Sequence, residues 1–199
     1  MGKLKIAFYW AASCGGCEIA VLDINEKILE VVEKADIVFW PVAMDIKYKD
    51  VEAMPDKSID VCFFNGAIRN EENERMAKLL RRKSKILVAF GSCACEGGVI
   101  GLANLWDRNS VFERVYLETP STRNPESVTP ETSVEVAGGE LELPKFYNTL
   151  KTLAQTVEVD YFLSGCPPPI PCIIQAIEAI LSGNLPPKGS SLLPNKSVC

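Results

Sequence analysis

The sequence predicts an α/β domain built on a doubly wound parallel sheet, interrupted by an inserted loop and hairpin. Three observations predict it. Five short runs rich in Val, Ile, Leu and Phe punctuate the chain, as strands covered on both faces do. Most are separated by stretches with apolar residues three and four apart, the period of a helix packed on a sheet. Several of the runs open into turns that carry glycine, the strand–loop–helix pattern that binds ligands at the carboxyl edge of a parallel sheet.

Taken in order, residues 4–10 read as the first strand. Glu18 to Lys34 reads as one helix. Its stripe is Val21, Ile24, Ile28, Val31 and Ala35, widened by Leu22, Leu29 and Val32, with Glu26, Glu30 and Lys34 on the wet side. Asp36 to Val42 and Ile59 to Asn65 read as the second and third strands. Asn70 can cap the next helix, with Glu71, Glu72 and Glu74 in its first turn and Arg81, Arg82 and Lys83 in its last, charges that suit the helix dipole. Lys85 to Phe90 reads as the fourth strand.

The alternation then breaks. Residues 104–145 hold Pro120, Pro125, Pro130 and Pro144 and read as an insertion. Within it, Val134, Val136, Leu141 and Leu143 alternate around Gly138-Gly139 as a hairpin does. An insertion of this length serves a function, covers a partner, or is a solvated excursion. Phe146 to Thr156 reads as a short helix and Asp160 to Leu163 as the fifth strand. The last helix has Pro171 in its first turn, Gly183 at its stop, and Ile173, Ile174, Ile177, Ile180 and Leu181 on its buried face. The expected organisation is a flavodoxin-like domain over residues 1–184 and a linker or tail over 185–199.

Charge and composition exclude several functions. Net charge is −5 with no long basic run, which argues against a nucleic-acid partner. No apolar stretch is long enough to span a bilayer. The N-terminus enters a strand at once, without the regions of a signal peptide, so a cytoplasmic protein is expected. The chain has eight cysteines and no histidine. The missing histidine removes the Ser-His-Asp triad, the Cys-His dyad and every His-ligated metal site. The cysteines are then ligands or core residues rather than disulfides.

Cys14 and Cys17 follow the first strand, Cys93 the fourth and Cys166 the fifth. In a parallel sheet these loops emerge at one edge, which makes four thiols neighbours in space. Four thiolates suit tetrahedral zinc or an iron–sulfur cluster. Only one pair has the short Cys-x-x-Cys spacing of a structural zinc knuckle, and that dispersion favours a [4Fe–4S] cluster. A thioredoxin-type redox pair at Cys14 and Cys17 is a third reading, but it leaves Cys93 and Cys166 without a task. Cys95 rivals Cys93 on the same loop, although Cys93 comes first after the strand. Cys62, mid-strand, and Cys172, at a helix start, read as core residues. Cys199 has no context.

At these residues the sequence resembles a known family. Ser13-Cys-Gly-Gly-Cys-Glu18, Gly91-Ser-Cys-Ala-Cys-Glu-Gly-Gly98 and Gly165-Cys-Pro-Pro168 together resemble the small subunit of [NiFe] hydrogenases, a fold shared by the 20-kDa-type subunit of respiratory complex I. The resemblance covers nearly the whole chain. Gly66-Ala-Ile-Arg-Asn-Glu-Glu-Asn73 and the arm from Gly139 to Pro144 look most like the cytoplasmic methyl-viologen-reducing hydrogenases of methanogenic archaea. The complex I relatives carry adjacent cysteines in the first motif, whereas Gly15-Gly16 splits the pair here.

The resemblance implies that Cys14, Cys17, Cys93 and Cys166 hold a proximal [4Fe–4S] cluster. It implies an electron-transfer subunit of a hydrogenase, an oxidoreductase whose nickel–iron site lies in a partner large subunit. Electrons would go on to a downstream flavin or iron–sulfur subunit. An iron–sulfur subunit of a complex I-like or other non-hydrogenase complex is the alternative, and a zinc-stabilised interaction module a third. Related small subunits continue into a ferredoxin-like tail with further clusters, which would begin where this sequence stops, at Val198-Cys199. Glu18, next to Cys17, is a candidate for proton transfer or partner contact, or simply a first-turn acid on the helix dipole. Tyr9 and Trp10 either shield the thiol loop or belong to the core.

Overall fold

The computed structural model describes residues 2–193. Its centre is a five-stranded, wholly parallel sheet of β1 (Leu4–Trp10), β2 (Ala35–Phe39), β3 (Ile59–Asn65), β5 (Ser84–Phe90) and β9 (Tyr161–Leu163), in the order β2-β1-β3-β5-β9. Counting these five strands alone, the order is 2-1-3-4-5, the flavodoxin-like arrangement expected from the sequence. Successive side chains point to opposite faces. On one face Ile6, Phe8, Val61, Phe63, Val88 and Phe90 pack under α1 (Gly16–Leu22), α2 (Lys27–Lys34) and α7 (Ile170–Ser182). On the other, Ala7, Tyr9, Cys62, Phe64, Leu87 and Ala89 pack under α3 (Tyr48–Ala53), α4 (Glu71–Lys83) and α5 (Ser92–Glu96).

The helix ends follow the expected chemistry. Asn70 Oδ1 accepts from Asn73 N at 2.8 Å at the start of α4, and Gly183 closes α7 in the left-handed region. The expected helix over residues 18–34 is two helices. Asn25 takes φ +53°, and its Nδ2 donates to Asp23 O at 3.1 Å, so short polar side chains satisfy the backbone locally and break the ladder. The break resets the phase. Val21, Ile24 and Val31 are buried, while Leu22, Leu29 and Val32 lie exposed instead of widening the stripe. β2 ends before Pro41, which has no N–H to continue a ladder.

The insertion follows the 3₁₀ segment Val99–Leu105. It runs through α6 (Arg108–Phe112) and a π-helical turn over Glu113–Glu118 to the hairpin β6 (Ser133–Val136) and β7 (Gly139–Glu142). Val136 pairs with Gly139, so the two-residue turn is Ala137-Gly138, one residue earlier than the sequence suggests. The expected helix over 146–156 is instead β8 (Phe146–Lys151), antiparallel to β4 (Ile68–Asn70). Its Phe, Tyr and Thr favour extended backbone, and β4 offers it an edge to pair with.

Composition reads 185–199 as a linker, but residues 188–192 lie against the sheet. Phe162 N donates to Ser190 O at 3.1 Å and Leu192 N to Phe162 O at 2.8 Å, adding a bridge at the β9 edge. Residues 194–199, with Cys199, fall outside the described residues. Among the described residues no helix is long and apolar enough to cross a membrane.

Candidate metal centre

The loops after β1, β5 and β9 are tied to their neighbours by backbone hydrogen bonds. In the first, Ala11 N donates to Asn65 O at 2.7 Å, and Ala12 and Ala67 exchange bonds of 3.1 and 2.9 Å, so the loop is pinned to the turn after β3. Trp10 Nε1 donates to Ser13 O at 3.2 Å. The indole lies over Gly15, where a Cβ would come within 2.8 Å of the ring. Gly15 caps α1 at φ +82°, a conformation that favours glycine. This leaves Cys14 exposed on the loop and Cys17 buried in the first turn of α1.

The second and third loops are laced together. Gly91 N donates to Leu163 O and Ser92 N to Gly165 O, both at 2.8 Å. Gly165 N donates back to Ser92 Oγ at 3.3 Å, and Ser164 Oγ donates to Glu96 Oε1 at 2.5 Å. Cys93 and Cys166 are thereby held on adjacent turns. Gly91 joins this pair of loops to the first, because a Cβ there would stand 2.3 Å from Cys17 Sγ.

The electrostatics report the same convergence. Burial pushes the Cys17 thiol up to about 12, helped by the negative charge of Cys93, Cys14, Glu18 and Cys166. The Cys93 thiol is raised by burial and by Cys166 and Cys14. The Cys17 and Cys93 thiolates are therefore costly without a cation to neutralise them, which is the condition a bound metal relieves. Among the described residues no three His, Cys, Asp or Glu side chains are spaced to close on a single metal ion. The four thiols share one field without surrounding one point.

Residues 14–180 match the family described as NADH ubiquinone oxidoreductase, 20 Kd subunit. The chain belongs to this family. Among its curated relatives, the iron-sulfur subunit of an F420-non-reducing hydrogenase from Archaeoglobus profundus is 46% identical over 98% of this chain and 61% of its own length. A subunit of the F420-non-reducing hydrogenase of Methanothermobacter thermautotrophicus is 37% identical over 91% of this chain and 54% of its own. The chain thus spans between half and two thirds of these relatives. A solved NAD+-reducing [NiFe]-hydrogenase in the H2-reduced state contains a chain that superposes with a TM-score of 0.80 at 26% identity, covering 98% of this chain and 97% of that one. The resemblance carried by the three cysteine motifs is borne out: these relatives are hydrogenase subunits.

The other described cysteines of this chain lie apart from these four. Cys95 turns away from the loop edge. Its Sγ donates to Ala89 O at 3.3 Å, it packs on the core under α3–α5, and burial with the Glu96 charge lifts its thiol to about 12. Cys62 is fully buried in β3, and Cys172 packs half-buried against the core under α7. Glu18 is 3% exposed, not a solvated first-turn acid. Its carboxylate accepts from Trp40 Nε1 and, at 3.4 Å, from Asn65 Nδ2. Burial raises its pKa against those two bonds. Tyr9 belongs to the core, while Trp10 is 41% exposed beside the thiol loop. Sequence reasoning missed Asn65 and Trp40. Asn65 was findable, since it ends β3 at the same edge as the cysteine loops.

Proposed function

We propose that this chain is the electron-transfer subunit of a [NiFe] hydrogenase, with Cys14, Cys17, Cys93 and Cys166 holding a proximal [4Fe–4S] cluster. The cluster's chemistry is one-electron transfer between the nickel–iron site of a partner large subunit and a downstream flavin or iron–sulfur subunit. The observation that carries the reading is the meeting of four thiols from three loops at one sheet edge in a chain without histidine. The spread of these thiols over three loops, with only one short Cys-x-x-Cys pair, favours an iron–sulfur cluster over a structural zinc ion.

The chain's own residues do the rest. Gly91 keeps the space beside Cys17 clear. Trp10 braces the Cys14 loop from above. The Ser92, Ser164 and Gly165 bonds fix Cys93 relative to Cys166. Val99, Leu102, Leu105 and Trp106, exposed by 59–71% just beyond the Cys93 loop, offer the partner an apolar surface.

Anaerobic purification followed by iron, sulfide and nickel analysis tests the proposal. Cys93→Ser is expected to lose most iron and sulfide, while Cys62→Ala keeps both, and nickel is expected in the co-purified partner. Full iron in Cys93→Ser, or zinc in place of iron, overturns the ligand set. The family description favours one other reading, a subunit of a complex I-like assembly, and a nickel-free partner would point there.

A further inference from the structure

Among the described residues nothing covers the hairpin of the insertion. Every residue of β6 and β7 is exposed, and the two strands form a sheet of their own. A two-stranded hairpin without a third strand or a covering layer is at best marginally stable in water. Each strand also keeps an outer edge whose backbone N–H and C=O groups are open to a further strand.

The two faces of the hairpin differ in chemistry. The strand period puts Val134 and Val136 on one face, with Leu141, which pairs with Val134, and Leu143 beside them. These four apolar side chains are 46–57% exposed. The other face carries Glu135 directly opposite Glu140, with Glu142 two residues further along the same strand. Residues 131–144 hold no Lys or Arg. Among the described residues none of these three carboxylates takes part in an ion pair. Like charges directly opposite each other on a sheet are destabilising. The hairpin therefore lacks apolar cover on one face and cations on the other.

A strand laid along a free edge supplies both at once. Its successive side chains point to opposite faces. A segment in which apolar residues alternate with Lys or Arg extends the apolar face and sets cations beside the carboxylates. A helix or a flat protein surface would serve one face alone. A second copy of this chain would bring the same carboxylates, and a net charge of −5, against the first.

We propose that the hairpin is a docking arm for an extended segment of a partner protein, added as a strand at its edge, in which apolar residues alternate with Lys or Arg. Main-chain hydrogen bonds hold such a strand and the alternating side chains select it. The proposal rests on the hairpin alone and not on the ligand set of the metal centre.

The test is a binding titration of the anaerobically purified full chain at low salt with a labelled peptide of about ten residues, valine alternating with lysine, long enough to span either strand. One control peptide holds the same residues in two blocks. Another carries N-methyl groups along one edge, which removes the N–H donors. The expected result is saturable binding of the alternating peptide, slowed amide exchange over residues 133–142, and about tenfold weaker binding of both controls. In the double variant Glu135→Lys, Glu140→Lys the affinity is expected to fall about tenfold, and a peptide of alternating valine and glutamate is expected to bind instead. The double variant Glu30→Lys, Glu33→Lys changes the net charge equally on α2, and is expected to keep the wild-type affinity. Absence of binding, equal binding of the block peptide, or an unchanged affinity in the hairpin variant overturns the proposal. A hairpin-dependent dimer in sedimentation without peptide gives the edge to a second copy and overturns it as well.

Discussion

A Cβ at Gly91 would stand 2.3 Å from the Cys17 sulfur, closer than two non-bonded atoms can sit. Gly91 also takes φ +82° with ψ 158°, a region where a side chain costs about 1–3 kcal/mol. Both effects fall on the joint between the first cysteine loop and the other two. Gly91→Ala is therefore expected to lose the larger part of its iron, measured as iron and sulfide per chain, while Cys95→Ala, whose sulfur points to Ala89 O, keeps wild-type iron. Equal iron in the two variants would mean that the Gly91 gap is not part of the site. The four thiols were legible in the sequence because each follows a strand, and strand ends in a parallel sheet share an edge. The shell around them was not. Glu18 meets Trp40 and Asn65 across 22 and 47 positions of chain, and no periodicity or spacing encodes a contact between side chains that distant.

Among the elements, strands whose apolar runs were continuous were read almost to the residue: Ile59–Asn65 is β3 as expected. Elements whose identity depends on a distant partner were misread. Phe146–Lys151 is a strand because β4 lies beside it, and the helix over 18–34 is broken by a local hydrogen bond at Asn25. The segment after Leu185 looks like a linker by composition, yet Asp160 holds it. Asp160 accepts from Arg81 at 2.5 Å, Lys188 at 2.6 Å and Leu87 N at 2.8 Å. Burial alone would raise its pKa, but the bonds from Lys188, Arg81 and Leu87 outweigh it and hold the carboxyl below the usual carboxylate range. A folded pKa below the unfolded one gives stability that is complete above the unfolded value, near 4, and drains away as pH falls through the folded one. Asp160→Asn leaves the mostly buried Arg81 uncompensated and should cost on the order of 3 kcal/mol in denaturant unfolding at neutral pH. The same variant should flatten the loss of stability below about pH 4. A wild-type unfolding midpoint in Asp160→Asn would show that the ion pair contributes nothing net.

On the scale of the whole molecule, the apolar surface is unevenly placed. The far side of the sheet is sealed by α3, α4 and their neighbours, with Val51, Met76, Leu80 and Leu153 fully buried. The surface following the cysteine loops is not sealed: Val99, Leu102, Leu105 and Trp106 form an exposed run directly after the turn that carries Cys93. The sheet does not need these residues, since they are more exposed than buried, so their substitution should leave the fold intact. The interface proposed above would need them, because an electron-transfer group must lie close to the site it exchanges with, and its surroundings must be dry for the field around the sulfurs to be set by the protein. Trp106 is the residue of the run whose type most often anchors an interface. Trp106→Ala is expected to keep the thermal midpoint and the iron content of wild type while weakening association with the proposed nickel-bearing partner by ~30-fold, the equivalent of about 2 kcal/mol for a buried aromatic anchor. Titration of the purified variant against that partner measures it. Wild-type affinity in Trp106→Ala would move the partner's contact elsewhere. The next surface to try would then be the apolar face of the hairpin, where Val134, Val136, Leu141 and Leu143 are exposed while Glu135, Glu140 and Glu142 alternate with them.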